Sequence, residues 1–463
     1  MWCSRSLVVV AAFACSRTAA EPPPSPPLAL AHEIFKELVE TDTTQSVGDT
    51  AKAAHLAAAR LIAAGFPASD VAVFEPKPKR GNLIARLRGT GKQKPILLVA
   101  HLDVVEANRA DWSTDPFKLV EKDGFWYGRG TADDKYMAAA WLANMIQWKR
   151  EGFRPSRDLV LVLETDEEQG AASQVGMTWL LANHRDMLDA AFAINEGGGV
   201  AVKNGRPAWI SLQTAEKVFQ TFTLEVKNKG GHSSQPRKDN AIYELAEALV
   251  KLEHLEFPVE LNDTTRNYFT KMATIERGPL AADMTAVVAA HPDPAAVARL
   301  STFPPYNAQL RTTCVATRLD AGHADNALPQ LARATVNCRL VPGDKPDDIE
   351  GALVKTIGDP NVVVASLERD VVSAPSPIDK QLVAAIEQVS AKFWPGIPVM
   401  PTMSSGATDG RFLRNAGIPT YGHSGLTGNI FDVRAHGKDE RVSIKGFDHG
   451  VAYLYELVKL LAR

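Results

Sequence analysis

The stretch 159–170, LVLVLETDEEQG, runs five apolar residues into a segment where Glu164, Asp166, Glu167 and Glu168 carry like charge. Crowded carboxylates repel and raise one another's pKa values, so the arrangement is costly unless water or cations neutralise it. A solvated loop explains it through water; a metal site explains it through cations. Three other places supply groups of the same kind. His101 and Asp103 in LLVAHLDVV lie two apart, on one side of an extended backbone, the relation in which a carboxylate steadies a zinc-bound imidazole. Taken alone, this HxD is equally a hydrogen-bonded structural histidine. Asp133 and Asp134 in WYGRGTADDKYM open a helix, where one aspartate serves as an N-cap and the second, after a glycine-rich approach, is left over. Glu196 stands in AINEGGG. With one further histidine these residues complete a dinuclear site. Two zinc ions roughly 3.5–4 Å apart need a bridging carboxylate, other ligands for each and a shared water. Asp, Glu and His donors suit zinc, cobalt or manganese. One glutamate of the acidic run would bind metal while its neighbour takes a proton from the water.

Such residues need a scaffold that delivers polar groups to one edge. From about residue 28 to 212, the helical patterns AHEIFKELVE and AKAAHLAAARLIAAG alternate with short apolar runs, GNLIARLRG, PILLVAHLD, LVLVLETDEE and AAFAINEGGG, that close on polar residues. This predicts an α/β catalytic domain over 31–212, a mostly parallel sheet flanked by helices, with ligands at the C-terminal ends of its strands. Near 213 the texture changes. FQTFTLEVKNKGGHSSQP alternates as a strand, NAIYELAEALVKLEHL is a helix, and CVATRLDAG with ARATVNCRLVPG makes a strand pair before the helix PDDIEGALVKTIG. A smaller α+β lid/dimerisation domain is expected over 213–369, with an insertion of short helices and loops around 255–308, before the first domain resumes over 370–463.

A chain of 463 residues is long enough for roughly two or three domains. Its 45% apolar and 23% charged residues are those of a soluble globular protein, and a net charge of −3 makes no field that would gather nucleic acid or an anionic membrane. The default partner is a small molecule or peptide. At the start, Arg5, an apolar run from Leu7 to Cys15, and Ala19 and Ala20 before a proline-rich spacer at 21–30 have the layout of a signal peptide over 1–20. The run is too short to span a bilayer, so an exported, periplasmic or secreted protein is expected. Lipidation at Cys15 fits poorly beside Phe13. Cys314 and Cys338 would remain, both in strand-like segments. A disulfide is open to them in an oxidising compartment, but a pair of ordinary buried thiols is the favoured expectation.

HLD, GRGTADDK, ETDEE and NEGGG, in this order and spacing, resemble the cocatalytic-zinc peptidases that include glutamate carboxypeptidase, aminoacylase, succinyl-diaminopimelate desuccinylase and the carnosinases. The resemblance runs over nearly the whole mature chain. It implies two Zn2+ per chain, with Co2+ or Mn2+ as alternatives: His101 and Glu196 on one, Glu168 and His436 on the other, and Asp133 bridging both through a cis Asp133–Asp134 peptide. Glu167 is then the general base and Asp103 orients His101. His436 sits in VRAHGKDERV, where Asp439 and Glu440 stand in for the family's NE, so His423 in PTYGHSG and His449 in FDHG compete for its place. Tyr136 replaces the glycine the family favours after DDK, which bears on the pocket wall. His232 in KGGHSSQP matches a family histidine that steadies the oxyanion, often from a partner subunit. Asn326 in ADNALPQ and Arg339 in NCRLVPG match positions that hold the substrate carboxylate, and Gly406 lies on the pocket loop SSGATDGRF. Asn326 alone would read as a turn residue. A homodimer through the lid is implied too, unless the insertion covers or replaces that surface.

The expected reaction is metal-dependent hydrolysis of an amide bond next to a free carboxylate, as an exopeptidase of carboxypeptidase or dipeptidase type. In the same fold, an N-acyl-amino-acid amidohydrolase is the alternative. A secreted binding protein with a decayed site is a third reading, opposed by the presence of every ligand and the base.

Overall fold

The computed structural model describes residues 26–463 other than 369, 370 and 431, without the side chains of 170–172 and 368. The expected signal peptide and the first half of the spacer lie outside the described residues, and the first described helix, Leu28–Val39, already begins within the last residues assigned to that spacer.

The apolar runs become the middle of a ten-stranded sheet. Gln93–His101 lies parallel to Arg157–Glu164 on one side and to Phe192–Asn195 on the other, and Thr420–Gly422 adds in parallel beyond Phe192–Asn195. Ile96 to Ala100 and Leu159 to Leu163 are buried throughout, as continuous apolar strands are when both faces of a parallel sheet are covered. Antiparallel strands complete the edges: Val71–Lys77 and Arg80–Leu87 at one, Gly199–Lys203 and Arg206–Glu216 toward the other. One face is covered by Leu28–Val39, Lys135–Arg150 and Ile444–Leu461, which bring Phe35, Trp141, Trp148 and Phe447 into the main core. Lys135–Arg150 is buried on nearly every side, so its sequence shows little amphipathic contrast. The core is thus built from the first and last parts of the chain. Among the described residues, no helix is long and apolar enough to cross a membrane.

The second sheet is antiparallel, in the order Thr313–Ala321, Leu331–Leu340, Val218–Lys227 and Val362–Glu368, backed by helices Ala241–Glu253 and Pro346–Ile357. Arg206–Glu216 belongs to the large sheet, so the change of texture placed at 213 falls inside that strand and the lid sheet starts at Val218. Cys314 and Cys338 are register partners on adjacent strands and form a disulfide, with Cα atoms 4.0 Å apart. This corrects the expectation of separate buried thiols: directly opposed residues on one face of an antiparallel pair are close enough to bond.

The insertion around 255–308 folds as short helices. It holds four helices, Asp263–Ile275, Pro279–Val287, Pro294–Ser301 and Pro304–Leu310. Its prolines, suggestive of loops, instead start three of these helices, at the position where a missing N–H costs nothing. The helices rest on the large sheet, where Phe269, Met272 and Met284 pack with Trp209 and Met400. Thr264 Oγ1 bonds Thr214 Oγ1 at 2.7 Å and Gln309 Nε2 donates to the Met403 carbonyl at 2.9 Å.

Candidate dinuclear metal site

The parallel strands Gln93–His101 and Arg157–Glu164 end in register, His101 opposite Glu164. After Glu164 the chain turns sharply through Asp166, at φ 62°, into a short 3-10 turn. The Asp103 carboxylate fixes that turn by accepting the amides of Glu167 and Glu168, each at 3.1 Å. His101 Nδ1 lies 3.0 Å from the Asp103 backbone oxygen and 3.7 Å from its carboxylate, which leaves Nε2 facing the cluster.

Nε2 of His101 is 2.9 Å from Asp133 Oδ1 and 3.9 Å from Glu196 Oε2. The other Asp133 oxygen, Oδ2, is 3.1 Å from His436 Nε2, which stands 3.0 Å from Glu168 Oε2. One carboxylate is therefore shared between two imidazoles, and each imidazole has a glutamate of its own. His101, Glu167 and Glu196 present ligand atoms within 4.8 Å of one another, as do His101, Asp133 and Glu168. The Asp133–Asp134 peptide is cis. Asp134 occupies the N-cap position of Lys135–Arg150 without a side-chain cap bond, and its buried Oδ2 has no hydrogen-bond partner.

The other histidines are placed elsewhere. His423 is buried between the Ser211 carbonyl at 3.0 Å and the Tyr453 hydroxyl at 2.7 Å, and burial lowers its pKa to about 4. His449 packs against Phe393 and Trp394. Tyr136 turns away from the cluster, donating to the Ser424 carbonyl at 3.0 Å beside Gly450, where a Cβ would overlap its hydroxyl.

Electrostatics describe a site built for positive charge. Burial, then the charges of Asp409 and Glu168, push Glu167 well above the usual carboxylate range, and burial with Glu167 does the same to Glu196. Asp133 moves down despite its burial, because His101 and His436 bond its ionised form. His436 rises to about 10 through its bonds to Asp133 and Glu168. Two imidazoles and a set of crowded carboxylates, one of them two-sided, form a donor set suited to a pair of divalent cations, which would offset the crowding.

Several supports carry no local signal in the sequence. Glu440 is buried and accepts from Arg129 Nη1 at 2.7 Å and from the amides of Gly130, Ala132 and Asp133 at 3.1, 2.7 and 3.2 Å. It holds the backbone that presents Asp133. Asp409 faces Glu164 within the pocket loop, and burial raises both acids. Glu216 accepts the Thr408 amide and hydroxyl at 2.9 and 2.8 Å and pairs with Arg414, anchoring the same loop.

Arg339 Nη1 reaches the Ser405 carbonyl at 3.5 Å, beside Gly406, with its guanidinium 4.5 Å above the Phe219 ring. In the short pair Gly231–His232 and Ala327–Leu328, His232 lies opposite Ala327 and the neighbouring Asn326 carbonyl accepts the Ser233 amide at 3.1 Å, while the exposed His232 bonds Ser234 Oγ at 2.8 Å. Among the described residues, both Asn326 and His232 make their hydrogen bonds within the lid.

A sequence profile described as peptidase family M20/M25/M40 matches residues 97–460. A probable carboxypeptidase S-like 2 of Dictyostelium discoideum is 30% identical over 385 residues, covering 79% of this chain and 71% of that protein. A human N-fatty-acyl-amino acid synthase/hydrolase, PM20D1, is 28% identical over 377 residues, covering 79% and 74%. In fold, the chain is similar to a metallo-carboxypeptidase from Sulfolobus solfataricus, with a TM-score of 0.70 at 19% identity over 93% of this chain and 98% of that one. It is also similar to a Bacillus subtilis protein described as a dinuclear metal binding peptidase, with a TM-score of 0.57 at 11% identity over 94% and 98%.

Proposed function

The chain belongs to peptidase family M20/M25/M40, and from that premise we propose that it hydrolyses an amide bond next to a free carboxylate, as a carboxypeptidase or dipeptidase. The observation that carries the reading is the Asp133 carboxylate shared between His101 and His436, with Glu167 held beside it by Asp103. His101 and Glu196 would hold one cation, Glu168 and His436 the other, and Asp133 both; zinc is the metal we propose. Bound there, the cations polarise the amide carbonyl and lower the pKa of a water.

The chain's own groups do the rest. Glu167 takes a proton from the attacking water and returns it to the leaving amine. Asp103 keeps His101 and the Glu167 turn in register. Arg339 offers a planar fork to the substrate carboxylate, with the Gly406 loop as the opposing wall and Asn326 as a further polar contact. His232 steadies the developing oxyanion once brought to a cluster, in a homodimer through the lid, from a second copy of the chain. A site of activity outside the cytoplasm is consistent with the signal-like segment and the Cys314–Cys338 disulfide. Hydrolysis of N-acyl amino acids is the second reading, favoured by the N-fatty-acyl-amino acid relatives.

Amino-acid release from matched substrates with free and amidated C-termini tests this. Cleavage confined to the free acids, and a rise in KM of roughly 10- to 150-fold in Arg339→Ala as a charged hydrogen bond is lost, are expected. Equal cleavage of both members would remove the carboxylate from the mechanism.

A further inference from the structure

A cavity of about 320 Å3 opens at the end of the large sheet away from the cluster. Its lining includes Leu87, which pairs with Leu159 at the start of the strand whose far end, Glu164, lies at the cluster. Two chain turns complete it: Phe66 and Pro67 just after the helix Thr50–Ala63, and Gly152 to Arg154 just after Lys135–Arg150. The second helix begins beside the cluster at Asp134, so Lys149, near its other end, is roughly 22 Å away along the axis. The two sites are separate.

Phe66, Leu87 and Phe153 give this cavity apolar surface, while Arg86, Arg88, Lys149 and Arg154 give it four positive charges against one acid, Asp70. Two of the cations are committed. Arg86 Nη1 donates to Asp158 at 2.7 Å, and Arg88 donates to both oxygens of Asp70 at 2.9 and 2.5 Å. Among the described residues, neither Lys149 nor Arg154 has a carboxylate partner. Glu151, between them in sequence, is taken by Tyr455 and Lys459 at 2.6 Å each. Basic side chains near a helix end often answer its carbonyls. Here the amides of Glu151, Gly152 and Phe153 accept that task, donating to the carbonyls of Gln147, Lys149 and Trp148, and Lys149 Nζ stands 5.6 Å over the Phe66 ring instead. Two positive charges are thus left over in one concave place, on a chain whose net charge is −3. We infer that this cavity binds a small soluble phosphomonoester with a compact apolar body. Such a group carries about −1.5 to −2 charge at pH 7, which matches the two spare cations, and its three oxygens suit ammonium and guanidinium donors. The volume admits on the order of ten water-sized groups at roughly 30 Å3 each, enough for a phosphate and a six-membered ring.

The test is calorimetric titration of the metal-loaded protein with phenyl phosphate. Divalent cations can also take phosphate, so the reading is the difference between the parent and variants of the cavity. Arg154 is exposed, so Arg154→Glu is compatible with folding, and Lys149→Met keeps a flexible stem over Phe66. The parent is expected to show a site with Kd below about 1 mM. Each variant should weaken that site by about 10-fold or more, as a charged hydrogen bond is lost, with Zn2+ affinity unchanged. Inorganic phosphate should bind more weakly than phenyl phosphate, and equal affinity would overturn the apolar half of the assignment. No binding in the parent, or binding unaltered in both variants, overturns the site itself. Capture on phosphatidate-containing vesicles without binding of phenyl phosphate would point to a membrane surface and overturn it too.

Discussion

Replacing Glu440 with glutamine isolates the support beneath Asp133. The carboxylate is 1% exposed and accepts four hydrogen bonds, one from Arg129 and three from the amides of Gly130, Ala132 and Asp133. Glutamine keeps the shape, removes the charge and turns one acceptor into a donor that must face either the guanidinium or an amide. Arg129, 2% exposed, is left as a buried cation without its carboxylate, a loss of about 3–5 kcal/mol. Its remaining contacts, the carbonyls of Glu106 and His436 at 3.4 and 3.3 Å and the Trp112 ring at 5.1 Å, place the expectation at the lower end, about 3 kcal/mol. Because the loosened segment carries Asp133, metal affinity should fall by roughly 10- to 100-fold as well. Urea unfolding of metal-stripped protein measures the first effect, and calorimetric titration with Zn2+ the second. A variant with stability within about 0.5 kcal/mol of the parent and unchanged affinity would refute the reasoning, since surface substitutions do no more than that.

Three further outcomes are expected. Glu167→Ala should lower kcat by at least about 100-fold while metal content stays near that of the parent; an active variant would mean another group is the base. Substituting Cys314 and Cys338 together with alanine should cost about 3.5 kcal/mol, from opening a cross-link across a sequence separation of 24, and matching urea midpoints would contradict it. Burial lowers Lys217 from 10.5 to about 7, so through that window the unfolded chain binds a proton that the folded chain lacks. The stability of the parent relative to Lys217→Met should therefore be lowest below about pH 7 and climb as pH rises toward 10; a pH-independent difference in unfolding free energy would count against it.

The residues from His101 to Glu196 are legible in the sequence because each ends a strand or opens a helix, and both signals are local. His436 is less legible: its loop has no periodic pattern, and His423 and His449 differ from it only in what surrounds them after folding. Glu440 is illegible as a support, since an acid among charged neighbours looks like surface until Arg129, 311 residues away, is brought against it. The same holds for Glu216 and Asp409. The alternation of helices and strands conveys the α/β layout, but not that the helices after Asn262 would cover the large sheet, which depends on the apolar face that Trp209 and Met400 leave open. The cysteines are legible as strand residues, and only the register between the strands makes them partners.

The distance along the chain between the two halves of the cluster sets a clock on its completion. Glu196 and His436 are separated by 436 − 196 = 240 residues. At synthesis rates of about 5–20 residues per second, that interval takes roughly 12–48 s. Throughout it, the emerging chain holds His101, Asp133, Glu167, Glu168 and Glu196 but lacks the second imidazole, the Glu440 brace and the final helix Ile444–Leu461 that closes the core. A cluster laid out this way is incomplete while the polypeptide is unfinished, and a chain cut short before residue 436 lacks both that imidazole and the carboxylate beneath Asp133.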